Sequence, residues 1–67
     1  MKIGILGATG AVGRQMLECI KERNIPAEEI RLFASERSKG LVIDGLTVQV
    51  ANEDTIQGLD VMLGAVS

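Results

Sequence analysis

Gly7-Ala8-Thr9-Gly10-Ala11-Val12-Gly13 is the stretch on which the fold turns. A short apolar run, Ile3 to Leu6, precedes it, and a segment of helical periodicity, Val12 to Arg23, follows it. A buried strand, a glycine-rich turn and a helix, in that order, bring a backbone against a dinucleotide pyrophosphate. The glycines let the chain turn sharply and the phosphates come close. The helix start then offers N–H groups without intrahelical partners and a partial positive charge. Thr9 adds a hydroxyl that can donate to a phosphate oxygen, and Ala11 and Val12 add backbone N–H groups. The spacing is Gly-x-x-Gly-x-x-Gly, not the more familiar Gly-x-Gly-x-x-Gly, so a tight strand-to-helix connection with no ligand is the competing account.

Outward from the turn, the flanking elements agree with it. Lys2 to Leu6 is apolar at nearly every position, as suits a parallel strand covered on both faces. Gly4 within it permits close packing against the backbone. The helix predicted from Ala11 to Arg23 gathers Val12, Met16, Leu17, Cys19 and Ile20 on or near one side, with Arg14, Gln15, Glu18, Lys21 and Glu22 on the other. Lys21, Arg23 and Asn24 suit its C-terminus, and Pro26 marks the stop. Ala27 to Glu29 is expected to form one helical turn, and Glu28 and Glu29 to lie at the surface.

Ile30 to Ala34 is the second predicted strand, and Ser35 to Gly40 a polar loop. Leu41–Ile43 and Leu46–Val50 flank Asp44-Gly45, a strong hairpin signal. Leu46, Val48 and Val50 alternate with Thr47 and Gln49, so one face is expected to be wet. Asn52 is placed to cap a short helix over Glu53 to Gln57, closed by Gly58. Asp60 to Ala65 is the third predicted buried strand. The order implies an α/β fold, a Rossmann-like parallel sheet (a partial doubly wound fold) with a β-hairpin insertion. Residues 1–67 are therefore expected to be a single, partial NAD(P)-binding domain. One long helix cannot cover both faces of such a sheet, so the chain is expected to be an excerpt of something larger or to associate.

Composition bounds the function. Sixty-seven residues make at most one small domain, which buries only about 60% of its unfolded surface. With one Phe, no Trp or Tyr and a net charge of −2, neither base stacking nor electrostatics favours nucleic acid. One cysteine and no histidine leave no internal disulfide and no usual zinc or general-base site, so a reduced, cytoplasmic setting is expected. No run approaches the roughly 20 apolar residues of a membrane span, and the start is too short and glycine-broken for a signal peptide. Cys19 is expected to be a buried structural thiol, with no catalytic residue and no metal ligand in the chain.

The end of the second strand decides the cofactor. An enzyme selecting NAD places Asp or Glu there to hold the ribose 2′-hydroxyl. This chain has Ala34-Ser35-Glu36-Arg37-Ser38-Lys39. A guanidinium with two flanking hydroxyls suits a 2′-phosphate, which points to NADP. Glu36 opposes this unless it points outward, and a solvated polar loop is the alternative.

These two motifs, residues 2–13 and Leu32-Phe33-Ala34-Ser35-Glu36-Arg37-Ser38-x-Gly40, resemble the amino-terminal segment of aspartate-semialdehyde dehydrogenases. Asp60-Val61-Met62-Leu63 is similar to the strand that follows there. The resemblance implies reduction of aspartyl 4-phosphate by NADPH to aspartate semialdehyde and phosphate, in lysine, threonine and methionine biosynthesis. It places the pyrophosphate on Gly7, Thr9, Gly10, Ala11, Val12 and Gly13, and the 2′-phosphate on Ser35, Arg37 and Ser38. The family's catalytic cysteine, histidine and substrate-binding arginine match no position here, so this polypeptide alone is expected to be inactive. Lys39 stands where Ala is common, and residues 63–67 lack an expected Phe-Ser-Ala-Gly-Gly run. N-acetylglutamyl-phosphate reductases resemble the opening but fit Ser-x-Arg-Ser less well. A stand-alone nucleotide-binding module, or a self-associating one using its uncovered sheet face and edge, are the readings outside enzymology.

Overall fold

The computed structural model describes residues 1–64, in which one sheet of five strands carries one long helix. The elements are β1 (Lys2–Leu6), α1 (Ala11–Glu22), β2 (Glu29–Phe33), β3 (Val42–Ile43), β4 (Leu46–Gln49) and β5 (Val61–Gly64), with one 3-10 turn at Glu36–Ser38. The sheet order is β3-β4-β2-β1-β5. All pairs are parallel except the β3–β4 hairpin. This is the predicted α/β sheet, with the glycine turn joining its interior strand β1 to the helix.

Alternation along the strands divides the residues between two faces. Ile3, Ile5, Leu32 and Val48 share one face with Leu17 and Ile20 of α1, and all are buried. Fully burying each such side chain contributes about 1.5–3 kcal/mol relative to leaving it exposed. The opposite face carries Phe33, which is fully buried. Phe33, Leu59 and Met62 crowd over Gly4, where a Cβ would come within 2.8–3.0 Å of their side chains.

Several local expectations change in the folded chain. The helix stops at Glu22, with Arg23 as its C-cap. Asn24 takes a left-handed φ of 51°, and its N–H bonds Lys21 O while that of Ile25 bonds Ile20 O. That pair of bonds is a Schellman ending. Only Gly13, Leu17 and Ile20 of α1 are buried. Cys19 is exposed, as is Val12, because only a narrow stripe of the helix meets the sheet. The cysteine is thus no buried structural thiol.

Ala27–Glu29 forms no helical turn. The Glu28 N–H bonds Met1 O at 2.9 Å, which draws this segment into line with β1 before β2 begins at Glu29. Glu29 itself is half-buried and paired with Arg31, not free at the surface. The hairpin forms as expected, with Asp44 and Gly45 at φ 52° and 79°, the two positive values of a type I′ turn. Thr47 is exposed, whereas Gln49 is half-buried.

Asn52 caps as predicted, its Oδ1 accepting from the N–H groups of Asp54 and Thr55, both at 2.9 Å. The helix it should start does not propagate, and residues 53–58 remain turns. Side chains compete for the backbone here. Thr55 Oγ1 donates to Val50 O, and Arg31 takes the carbonyls of Thr55 and Gln57. β5 is an edge strand within the described residues, with Val61 and Met62 each 37% exposed, so it is not the buried strand expected. The predicted end of that strand, Ala65, and the departure noted over residues 63–67 extend beyond the described residues.

Candidate functional site

The glycine turn is tied to the end of β2. The N–H groups of Gly7 and Ala8 both donate to Phe33 O, at 2.9 and 3.0 Å. Gly7 has φ 82°, which an L side chain rarely adopts. Gly10 N–H closes the turn onto Gly7 O at 3.1 Å, and Arg14 N–H makes the first helical bond to Gly10 O. The N–H groups of Ala11, Val12 and Gly13 precede that bond, so they have no acceptor in the helix. Gly10 is the N-cap, provides no side-chain cap, and no acidic residue occupies the first turn. Nothing within α1 neutralises its positive end.

The glycines are not equivalent. A Cβ on Gly13 would lie 2.3 Å from Gly7 O and 2.7 Å from Ala8 Cα, whereas one on Gly10 would meet only Gly7 O, at 3.6 Å. Gly13 is therefore required by the packing of helix on turn. Gly10 is exposed and has room for a side chain, so the protein itself does not demand glycine there. An approaching ligand would. Together with the uncapped helix start, this is the donor set and clearance that a pyrophosphate fits.

The second group lies one strand away. Leu6 of β1 stands opposite Phe33 of β2, so the loop after β2 starts level with the glycine turn. Ser35 and Arg37 are exposed there and Ser38 is half-buried. A backbone bond from Ser38 N–H to Ser35 O, 2.9 Å, folds them into one turn. Glu36 and Lys39 are exposed as well. The fold thus brings Gly7–Gly13 and Ser35–Ser38 to the same end of the sheet. No side-chain hydrogen bond joins Ser35, Arg37 and Ser38 among the described residues.

Arg31 was not singled out by the sequence, where it is merely a polar position in a strand. Its half-buried guanidinium pairs with Glu29 and donates through Nη1 to Thr55 O at 2.9 Å and Gln57 O at 2.6 Å. This fixes residues 52–59 against the second face of the sheet. The hydrogen bond from Arg31 holds the Glu29 carboxyl below its ordinary pKa, outweighing partial desolvation, with the charges of Arg31 and Lys2 adding to it. A buried-strand arginine between apolar neighbours was the available signal. Among the described residues, no group of three His, Cys, Asp or Glu side chains could hold a metal ion, and no helix is long and apolar enough to cross a membrane.

Comparison with known proteins agrees with this geometry. Residues 2–67 match a family described as semialdehyde dehydrogenase, NAD binding domain. The chain is 51% identical over 63 residues to an aspartate-semialdehyde dehydrogenase of Streptomyces akiyoshiensis, covering 94% of this chain and 19% of that protein. It is 43% identical over 67 residues to one of Aquifex aeolicus, covering 92% of this chain and 20% of that protein. A crystal structure of aspartate semialdehyde dehydrogenase II from Vibrio cholerae superposes with TM-score 0.79 at 40% identity, over 97% of this chain and 21% of that one. The chain spans about a fifth of the length of the relatives it matches.

Proposed function

This chain belongs to the semialdehyde dehydrogenase family, as its NAD-binding domain, and from that premise we propose that it is the NADP-binding part of an aspartate-semialdehyde dehydrogenase. The complete enzyme would reduce aspartyl 4-phosphate to aspartate semialdehyde and phosphate, with the bound cofactor supplying the hydride. In this reading Gly7, Thr9, Gly10, Ala11, Val12 and Gly13 hold the pyrophosphate, and Ser35, Arg37 and Ser38 the 2′-phosphate. Residues 1–67 form one partial Rossmann-like domain, working in the cytoplasm.

One observation carries the choice of NADP. The turn after β2 sets exposed Arg37 between Ser35 and Ser38, one strand from the uncapped helix start, and its one carboxylate, Glu36, is itself exposed. Calorimetric titration with NADP and NAD tests it. NADP is expected to bind more tightly, and Arg37→Ala to remove about 1.5–3 kcal/mol of that preference, the weight of a hydrogen bond to a charged group. Equal affinities in the wild type would overturn the assignment.

The same chain is expected to show no turnover. It has no histidine, and its cysteine sits exposed on α1, off the glycine turn. Semialdehyde formation from aspartyl phosphate and NADPH by this polypeptide would refute that. The partly covered sheet is proposed to pack against a catalytic domain or a second copy. The exposed Val61 and Met62 of β5 support this.

A further inference from the structure

The tip of the β3–β4 hairpin carries the one aspartate or asparagine of the chain that glycine follows. Asn24, Asn52, Asp54 and Asp60 precede Ile25, Glu53, Thr55 and Val61, whose side chains crowd the nitrogen next to each carboxyl or amide. Gly45 has no side chain, and a Cβ built on it would meet nothing within 4 Å. Its N–H donates to no acceptor among the described residues. The Asp44 side chain is 46% exposed, within reach of water. An unhindered, unpaired backbone nitrogen beside an open carboxyl is a pair of reactants already held in one molecule.

We infer that Asp44 is a site of spontaneous isoaspartate formation, held back in the folded chain by the hairpin turn and by Lys21. The Gly45 nitrogen attacks Asp44 Cγ while the side chain is a protonated carboxylic acid. A C–N bond forms, the nitrogen gives its proton to solvent, and the carboxyl hydroxyl leaves as water, closing a five-membered succinimide. One water then opens the ring. Breaking the bond from nitrogen to Cγ restores aspartate. Breaking the bond from nitrogen to the main-chain carbonyl leaves the chain running through Cβ and Cγ. No oxidant or reductant takes part, and the mass of the chain is unchanged.

Two features of the fold oppose ring closure. The ring needs Cβ and the Gly45 nitrogen on the same side of the Asp44 Cα–C bond. A type I′ turn has ψ of about +30° at its first central position, which sets them nearly opposite, so the turn has to open first. Lys21, in the last turn of α1, also holds the carboxylate, Nζ to Oδ2 at 3.0 Å, and has to release it. Conversion then adds one backbone carbon to a two-residue loop whose length sets the pairing of Val42 with Thr47 and Ile43 with Leu46. The free carboxylate moves from Cγ to the former main-chain carbonyl carbon, away from Lys21. The change reaches the preceding loop, because Gly40 N–H bonds Val48 O at 3.0 Å and Leu41 N–H bonds Ser38 O at 3.1 Å.

Ageing the chain at neutral pH, in buffer and in urea, tests this. The readouts are methyl transfer from labelled S-adenosylmethionine by an isoaspartyl methyltransferase, and electron-transfer fragmentation of the peptide spanning Asp44. Isoaspartate is expected at Asp44 in both solvents, more slowly in buffer, and methyl acceptance is expected to fall to background in Asp44→Ser. Lys21→Ala is expected to speed conversion about two- to fivefold in buffer, the weight of an exposed ion pair, and to leave the rate in urea unchanged. Amide protons of Gly40 and Leu41 are expected to exchange faster in the converted chain. A signal that survives in Asp44→Ser would place the chemistry elsewhere, and equal rates in buffer and urea would show that the fold holds nothing back. Conversion in urea with none in buffer would overturn the site in the folded protein. A Lys21→Ala rate equal to the wild type in buffer would remove Lys21 as its guard, and unchanged exchange at Gly40 and Leu41 would confine the damage to the turn.

Discussion

At the scale of single residues, the two glycines at the helix start separate packing from binding. An added methyl on Gly13 would sit against Gly7 O at 2.3 Å, a backbone atom that cannot swing aside. Gly13→Ala is expected to cost about 3 kcal/mol, the upper end for overpacking. A domain of this length holds only about 3–10 kcal/mol in all. Gly10→Ala, which meets nothing closer than 3.6 Å, is expected to melt close to the wild type yet to lose nucleotide affinity. Parallel thermal melts and titrations check the pair, and equal melting losses would show that both glycines serve packing alone. A second residue-scale expectation concerns Glu29. Its pKa is lowered in the fold by the hydrogen bond from Arg31. A depressed carboxyl adds stability that is present above the unfolded pKa and is lost as pH falls through the folded one. Urea midpoints of the wild type and Glu29→Gln should therefore differ at neutral pH and converge below the ordinary carboxylate range. A gap that persists unchanged into strong acid would show that the pairing is not its source. The glycine pattern was legible because it is local, whereas the roles of Arg31 and Glu29 were not. Arg31 depends on carbonyls at Thr55 and Gln57, more than twenty positions along the chain, and Glu29 takes its role from Arg31.

Among the elements, those whose signals are carried by their own residues came through best. The Asp44-Gly45 turn is written in two residues that tolerate positive φ, and both adopt it. Gly45→Ala keeps the space, since nothing lies within 4 Å of an added Cβ, but places an L side chain at φ 79°. It is expected to cost about 1–2 kcal/mol, lowering the melting temperature by about 4–8 °C per kcal/mol. A melt unchanged from the wild type would show that this hairpin is not held by its turn. The segment after Asn52 shows the opposite case. Its cap residue was read correctly, but propagation was not, because Thr55 and Arg31 engage the local backbone groups with side chains. Helix α1 was predicted within one residue of its end. Its buried stripe is narrower than the apolar pattern implied, leaving Val12 and Cys19 exposed, since burial depends on how much sheet lies beneath the helix.

For the whole molecule, counting elements predicted an uncovered sheet face and an open edge, but not which residues line them. α1 covers one face of the sheet, and the turns of residues 52–59, pinned by Arg31, cover part of the other. Exposed apolar side chains remain at both edges of the sheet: Leu41 and Val42, 50% and 63% exposed, at the β3 edge, and along β5 Val61 and Met62, 37% exposed, with Ile56 nearby at 41%. β5 carries no charge between Val61 and Gly64, and it pairs with β1 on one side and with no strand on the other among the described residues. Edges of this kind accept another strand, and proteins guard against it with lysines, prolines or bulges. None of the first two occurs in Val61–Gly64. The isolated chain is therefore expected to associate, with a weight-average mass in sedimentation that rises with concentration. Val61→Lys puts a charge on that edge and is expected to bring the mass back towards the monomer without lowering affinity for NADP, because β5 lies on the far side of β1 from the Ser35–Ser38 turn. A wild-type mass constant at the monomer value over the whole concentration range would show that this edge does not recruit a second copy.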